Sequence, residues 1–274
     1  MTTSNNLDKN SPIAFVDSGV GGLTVFSKVK KILPYENYLY YGDTLHMPYG
    51  EKTKEQLLEY SGDIFSFFES KNAKAVVMAC NTTSSVIYDR VKNKYNFKIF
   101  PIVQSVAQIL AQLPVKRLGI FATRATIASG VYQNEIAQYN PDMLVFVRHC
   151  PDWVPIVEEN TANTPESKAI IKSDLDIMLK NNPEKIVLGC THYPFLTDIL
   201  SEFASRDMFI DPAIHFAKYI QSGLAGANLL KEDITAGFEE FYVSSDPQNF
   251  QNASKMFYDV KQLPQLLQFG KVLR

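Results

Sequence analysis

Solid apolar runs alternate along this chain with longer stretches in which apolar residues recur at helical spacing. Residues 13–16, 37–41, 75–80, 98–102, 118–122, 143–147 and 185–189 read as strands buried on both faces. Between them a helix begins near Leu23, and others are predicted over 53–71, 82–94, 125–139 and 164–181; the second places Leu57, Leu58, Ile64, Phe65 and Phe68 on one face. After a helix over 195 to about 204, a strand and turn are expected at 208–212, a helix at 213–226, a strand at 238–243 and a last helix at 247–257. Strands alternating with helices imply α/β architecture with parallel sheets. The pattern starts again at Gln104, soon after Pro101, and the last segment has too few strands to stand alone. Two open parallel-sheet α/β domains are therefore expected, 1–103 with 212–274 and 104–211.

Two junctions repeat between the halves. Val76-Val77-Met78-Ala79-Cys80-Asn81-Thr82 and Ile186-Val187-Leu188-Gly189-Cys190-Thr191-His192 are each an apolar run that stops at a cysteine and continues with small polar residues. Such a run puts a thiol at the carboxyl end of a parallel strand, where open α/β sheets bind ligands. Two thiols facing one crevice form an acid/base pair able to move a proton across a carbon centre. A free thiol is only about 3% ionised at pH 7, and lowering its pKa by ~1.5 units takes about 2 kcal/mol. A helix N-terminus supplies up to ~2 kcal/mol, and only in a dry site; an ammonium on the substrate would add to it. Two thiolates beside substrate carboxylates would repel, so one thiolate and one thiol are expected at any moment. The plainer alternative is that both cysteines are small buried hydrophobes.

Composition narrows the partners. The chain has 274 residues, enough for a large core without disulfide or metal staples. Its net charge of −2 offers no basic footprint for nucleic acid and no polybasic membrane anchor, leaving small-molecule work. The first twelve residues are polar, lack a signal-peptide core and are expected to fray. No apolar run reaches the ~20 residues of a membrane span. Three cysteines, an odd number, argue against a disulfide framework, and the expected compartment is the cytoplasm. A homodimer is a candidate assembly.

Other residues carry weaker signals. Asp17 and Ser18 end the first strand before Gly19, Gly21 and Gly22, whose freedom would let the backbone approach a ligand. A dinucleotide reading, with Asp43 on a ribose, fails at the third glycine, where Thr24 stands. Asp17 could equally be a helix cap. The loop 42–50 is too polar for core and is either functional or a simple connection. Zinc would draw on Cys80, Cys190, His192, His149 and Cys150, but the short cysteine spacings of zinc sites are absent. His192 is as readily a structural cap as a proton carrier, and Glu158 is by default a solvated helix residue.

Asp17-Ser18-Gly19-x-Gly21-Gly22, Pro48-Tyr49-Gly50, Ala79-Cys80-Asn81-Thr82 and Gly189-Cys190-Thr191-His192-Tyr193-Pro194 together resemble the glutamate racemase family, in order and spacing along nearly the whole chain. The resemblance implies two pseudo-symmetric open parallel-sheet α/β domains with the active site in the cleft between them, the C-terminal segment rejoining the first. It implies cofactor-independent interconversion of L- and D-glutamate, supplying D-glutamate for peptidoglycan. Cys80 and Cys190 would be the acid/base residues, Asp17 and His192 their assistants. Asp17, Ser18, Tyr49, Gly50, Asn81, Thr82, Thr191 and His192 would surround the amino acid, with Asp43 and Glu158 possible helpers. His192 stands where aspartate racemases usually carry glutamate; Thr83 replaces a commoner alanine, and Asp152-Trp153 varies the segment before Val154-Pro155. The competing readings are a racemase for another amino acid such as aspartate, a hydrolase with one cysteine nucleophile, and a non-catalytic amino-acid-binding module.

Overall fold

Strand β1 (Ile13–Asp17) is buried at every residue, as expected of an apolar run sealed on both faces. The computed structural model, which describes residues 7–269, leads from it through α1 (Leu23–Ile32) to β2 (Tyr38–Gly42), then α2 (Lys54–Ser70), β3 (Ala75–Met78), α3 (Asn81–Val91) and β4 (Lys98–Pro101). Strands β2 and β3 flank β1, and β4 lies outside β3 at the sheet edge, where the missing N–H of Pro101 is tolerated. Helix α2 starts where Thr53 and Gln56 close a capping box.

A helix not anticipated, α4 (Ile102–Leu110), leads to the second sheet. There follow β5 (Arg117–Ala122), α5 (Arg124–Ser129), α6 (Val131–Tyr139), β6 (Leu144–His149), α7 (Trp153–Glu158), α8 (Pro165–Leu179), β7 (Lys185–Gly189), α9 (Thr197–Leu200) and β8 (Phe209–Ile210). The single helix expected over 125–139 is two, because Gly130 adopts a left-handed φ of 65° and ends the first. The helix expected after 195 is also short. A 3-10 turn, Tyr193–Leu196, precedes α9, and side-chain bonds from Thr197 to the Pro194 carbonyl and from Ser201 to the Thr197 carbonyl, each 2.6 Å, compete with helix propagation.

Helix α10 (Pro212–Gly226) opens with the Asp211 carboxylate accepting from the Ala213 N–H and returns the chain to the first sheet. There β9 (Glu239–Val243) pairs with β2, and after α11 (Pro247–Ser254) the short, unanticipated β10 (Gln265–Leu266) pairs with β9. The sheets, both wholly parallel, have the orders β10-β9-β2-β1-β3-β4 and β6-β5-β7-β8. The order β2-β1-β3-β4 recurs as β6-β5-β7-β8, so β3 and β7 hold equivalent places. The fold is two parallel-sheet α/β domains.

One cluster of buried side chains runs through both, from Phe15 on β1 through Val106 on α4 and Ile220 on α10 to Ile120 on β5. Helix α4 packs against both α6 and α10, so the expected break at 103/104 falls inside a helix. Of the twelve residues expected to fray, 1–6 lie outside the described residues. Residues 7–12 are held: the buried Lys74 ammonium pairs with Glu36 at 2.5 Å and donates to the Lys9 carbonyl, while Leu7 packs on the core. Among the described residues no helix is long and apolar enough to cross a membrane.

Candidate active site

The carboxyl ends of β1 and β3 in one sheet and of β5 and β7 in the other converge on a cavity of about 280 Å³. In each sheet the central strand has neighbours that run off to opposite sides, which opens a crevice at the strand ends. Cys80 and Cys190 reach the cavity from these equivalent places, and both are buried, free thiols.

Cys80 takes the cap position of α3, so its sulfur stands at the positive end of an eleven-residue helix. Burial, joined by the charge of Asp17, pushes its thiol up to about 12. At rest it is a proton-bearing thiol. Asp17 itself is pushed up to about 6 by burial, against the pull of His192 and the N–H groups of Gly19 and Gly22. It stands behind the cavity wall: Gly19 donates to it at 3.1 Å, and Thr191 Oγ1 lies at 3.4 Å.

Around Cys190 the environment differs. Only the 3-10 turn follows it, so little helix dipole is available; instead His192 Nδ1 lies 3.8 Å from its sulfur. His192 Nε2 meets Glu158 Oε1 at 2.5 Å. Burial pulls the imidazole down, but its bonds to Cys190 and Glu158 outweigh this and raise it to about 10. A cation therefore stands beside the second sulfur. Glu158 is not the solvated helix residue expected by default, because α7 ends with its side chain turned into the cavity. Phe257, from the C-terminal segment, packs on Phe195 at 4.0 Å and edge-on to His192.

Hydroxyl and amide groups complete the wall. Thr82 and Thr123 meet across the two domains at 2.9 Å, and Thr123 meets Thr126 at 2.9 Å. Tyr49 donates to Asp43 at 2.5 Å, while His46 Nδ1 lies 2.8 Å from the same carboxylate and stacks on Tyr60. Of the glycines after β1, Gly21 also makes room for protein. A Cβ on Gly21 would lie 2.5 Å from Thr191 Oγ1 and 2.6 Å from the His192 ring, so this glycine lets the second domain's loop close against the first.

Residues 43–219 match the model of the Asp/Glu/Hydantoin racemase family. Over 252 residues the chain is 34% identical to a glutamate racemase of Thermoanaerobacter, covering 91% of this chain and 94% of that one. It is 35% identical over 253 residues to a glutamate racemase of Carboxydothermus hydrogenoformans, covering 92% and 94%. The chain belongs to the glutamate racemase family. The solved glutamate racemase of Francisella tularensis, in complex with D-glutamate, superposes with a TM-score of 0.86 at 28% identity, covering 96% of this chain and 98% of that one. This protein is an amino-acid racemase, an isomerase.

Within the glutamate racemase frame, the structure brings ten of the anticipated residues to one wall. From the first domain these are Ser18, Tyr49, Gly50, Cys80, Asn81 and Thr82; from the second, Glu158, Cys190, Thr191 and His192. Asp17 and Asp43 stand one layer back, behind Cys80 and Tyr49. Thr123 was missed, although it follows the carboxyl end of β5 and the strand-end argument applies to it equally. Tyr193, Val154 and Pro155, named from sequence only as parts of motifs and not as site residues, also line the cavity. Among the described residues no three His, Cys, Asp or Glu side chains are grouped as metal ligands, so the zinc set considered from sequence is not assembled.

Proposed function

We propose that this racemase interconverts L- and D-glutamate by a cofactor-independent two-base transfer between Cys80 and Cys190, supplying D-glutamate for peptidoglycan in the cytoplasm. The observation that carries the reading is that two thiols, from equivalent strand ends of two sheets, share a wall with Asn81, Thr82, Thr123, Thr191 and His192. Hydroxyls, amides and α3's first N–H groups suit a substrate bearing two carboxylates. The thiols differ in kind. Cys80 holds its proton, while Cys190 has an imidazolium at its side, so a proton taken by the second sulfur from one face is matched by one delivered by the first to the other. Once the substrate ammonium enters, it favours ionisation of whichever thiol must act as base, which allows the reverse reaction. Asp17, close enough to Cys80 for its charge to act there, assists that side, and His192 with Glu158 assists the other. Asp43 acts through Tyr49, whose hydroxyl it holds.

We take residues 1–103 with 212–274 as one domain and 104–211 as the other, a division supported by sheet membership. The deciding experiment incubates the protein with each glutamate enantiomer in deuterated water and follows the α-proton by NMR. Exchange with racemisation from both enantiomers is expected. Binding without exchange would reduce the protein to a binding module, and exchange with aspartate in preference to glutamate would reassign the substrate.

A further inference from the structure

Tyr132 belongs to α6 and lies off the cavity wall, yet it touches both thiol junctions. Its hydroxyl donates to Asn81 Oδ1 at 2.8 Å, and Asn81 directly follows Cys80. Its ring edge lies against Gly189, which directly precedes Cys190: a Cβ built on that glycine would meet Tyr132 Cε2 at 3.4 Å. Both side chains in the hydrogen bond are buried. Burial holds the phenol well above its usual range, with the nearby Cys190 charge acting in the same sense, so the hydroxyl stays protonated and donates.

The other half of the Asn81 amide is unpaired. Asn81 Nδ2 is buried and has no hydrogen-bond partner among the described residues, although Asn81 lines the cavity. Rotating the amide by half a turn would offer the amide N–H to the phenol oxygen and leave two orphans, the phenol proton and the carbonyl oxygen, in place of one donor. A buried orphan donor is costly, about 1–3 kcal/mol, unless something arrives to accept from it.

The geometry points to Tyr132 as a positioning residue: it locks the Asn81 amide with its NH2 toward the cavity, where that group donates to a carboxylate of the substrate, and it braces the two thiol-bearing junctions against each other. This rests on the amino-acid reading above and deepens it. The residue touches no reacting atom, so its effect passes through Asn81.

The test is a double-mutant cycle of Tyr132→Phe and Asn81→Ala, with kcat and KM measured for both glutamate enantiomers. Tyr132→Phe keeps the ring against Gly189 and releases only the amide. A contact made equally to bound substrate and transition state appears in KM, so KM should rise about tenfold for both enantiomers with kcat within about threefold. In the Asn81→Ala background the same substitution should change KM by less than about twofold, because the group it orients is gone. Independent, additive effects, or a fall in kcat with KM unchanged, would overturn the assignment and leave Tyr132 as core packing. Should wild-type protein fail to racemise glutamate, the proposed function fails instead; thermal melts of each variant separate loss of fold from either outcome.

Discussion

Cys80 and Cys190 face the same cavity with different neighbours, and this asymmetry is what substitution should reveal. Replacing either by serine puts a hydroxyl, far more basic than a thiol when ionised, in place of an acid/base group, so racemisation should fall by about 10² to 10⁴. Each variant keeps one thiol on one face and should still eliminate a leaving group from a β-substituted glutamate analogue of one hand, with opposite preferences for Cys80→Ser and Cys190→Ser. A shared preference, or one variant racemising at near wild-type rate, would require a single-base mechanism. Asp17 makes a prediction about stability. Its carboxyl is raised from 3.8 to about 6 in the folded chain by burial, so folding favours the neutral form. The stability this contributes is full below pH 3.8 and is lost as the pH rises through 6. Above that, a rise of about 2 units corresponds to about 3 kcal/mol. Asp17→Asn keeps an acceptor for the Gly19 N–H and sheds the charge. Its urea midpoint should exceed that of wild type at pH 8 and match it near pH 4, while activity falls. An equal difference at both pH values would mean that Asp17 titrates normally.

Short elements bring together the groups that support the cavity wall. The turn between β1 and α1 admits Thr191 and His192 only because Gly21 has no side chain. Gly21→Ala should push the His192 loop away and lower kcat at least tenfold, about the effect of 1.4 kcal/mol in the barrier, with the far-UV CD spectrum unchanged. Retained kcat would show that the loop has room to give. Helix α7 begins with Trp153, buried at 4.7 Å from Phe121 and 4.9 Å from Tyr193, and ends with Glu158 on His192. Tyr193, Val154 and Pro155 carry that helix's surroundings into the cavity wall. Glutamate should therefore alter the emission of this single tryptophan as the site closes. Emission unchanged at saturating glutamate would leave α7 outside any movement.

At the scale of the molecule, two sheets share one core. The buried cluster passes from β1 through α4 and α10 to β5 without a polar break, so neither domain can lose its partner and keep its apolar faces covered. Equilibrium unfolding in urea should be one cooperative transition, with Trp153 fluorescence from the second domain and far-UV CD from both giving coincident midpoints. Two separated midpoints would show that the domains unfold as independent units.

Apolar runs of strand length, the two strand-cysteine junctions and the return of the C-terminal segment were legible in the sequence, because burial on both faces leaves an unbroken hydrophobic signature and a thiol at its end stands out. Helix lengths near the site were less so: Gly130 in a left-handed conformation and the hydroxyl back-bonds of Thr197 and Ser201 are local choices that periodicity does not register. Three facts belong to the tertiary structure alone. Glu158 became a partner of His192, Gly21 made room for a loop 170 residues further on, and Tyr132 reached Asn81 from the other domain. Each is a contact between segments separated in the chain: the packing of α7 on the loop after β7 sets the first distance, and the packing of one domain against the other sets the second and third.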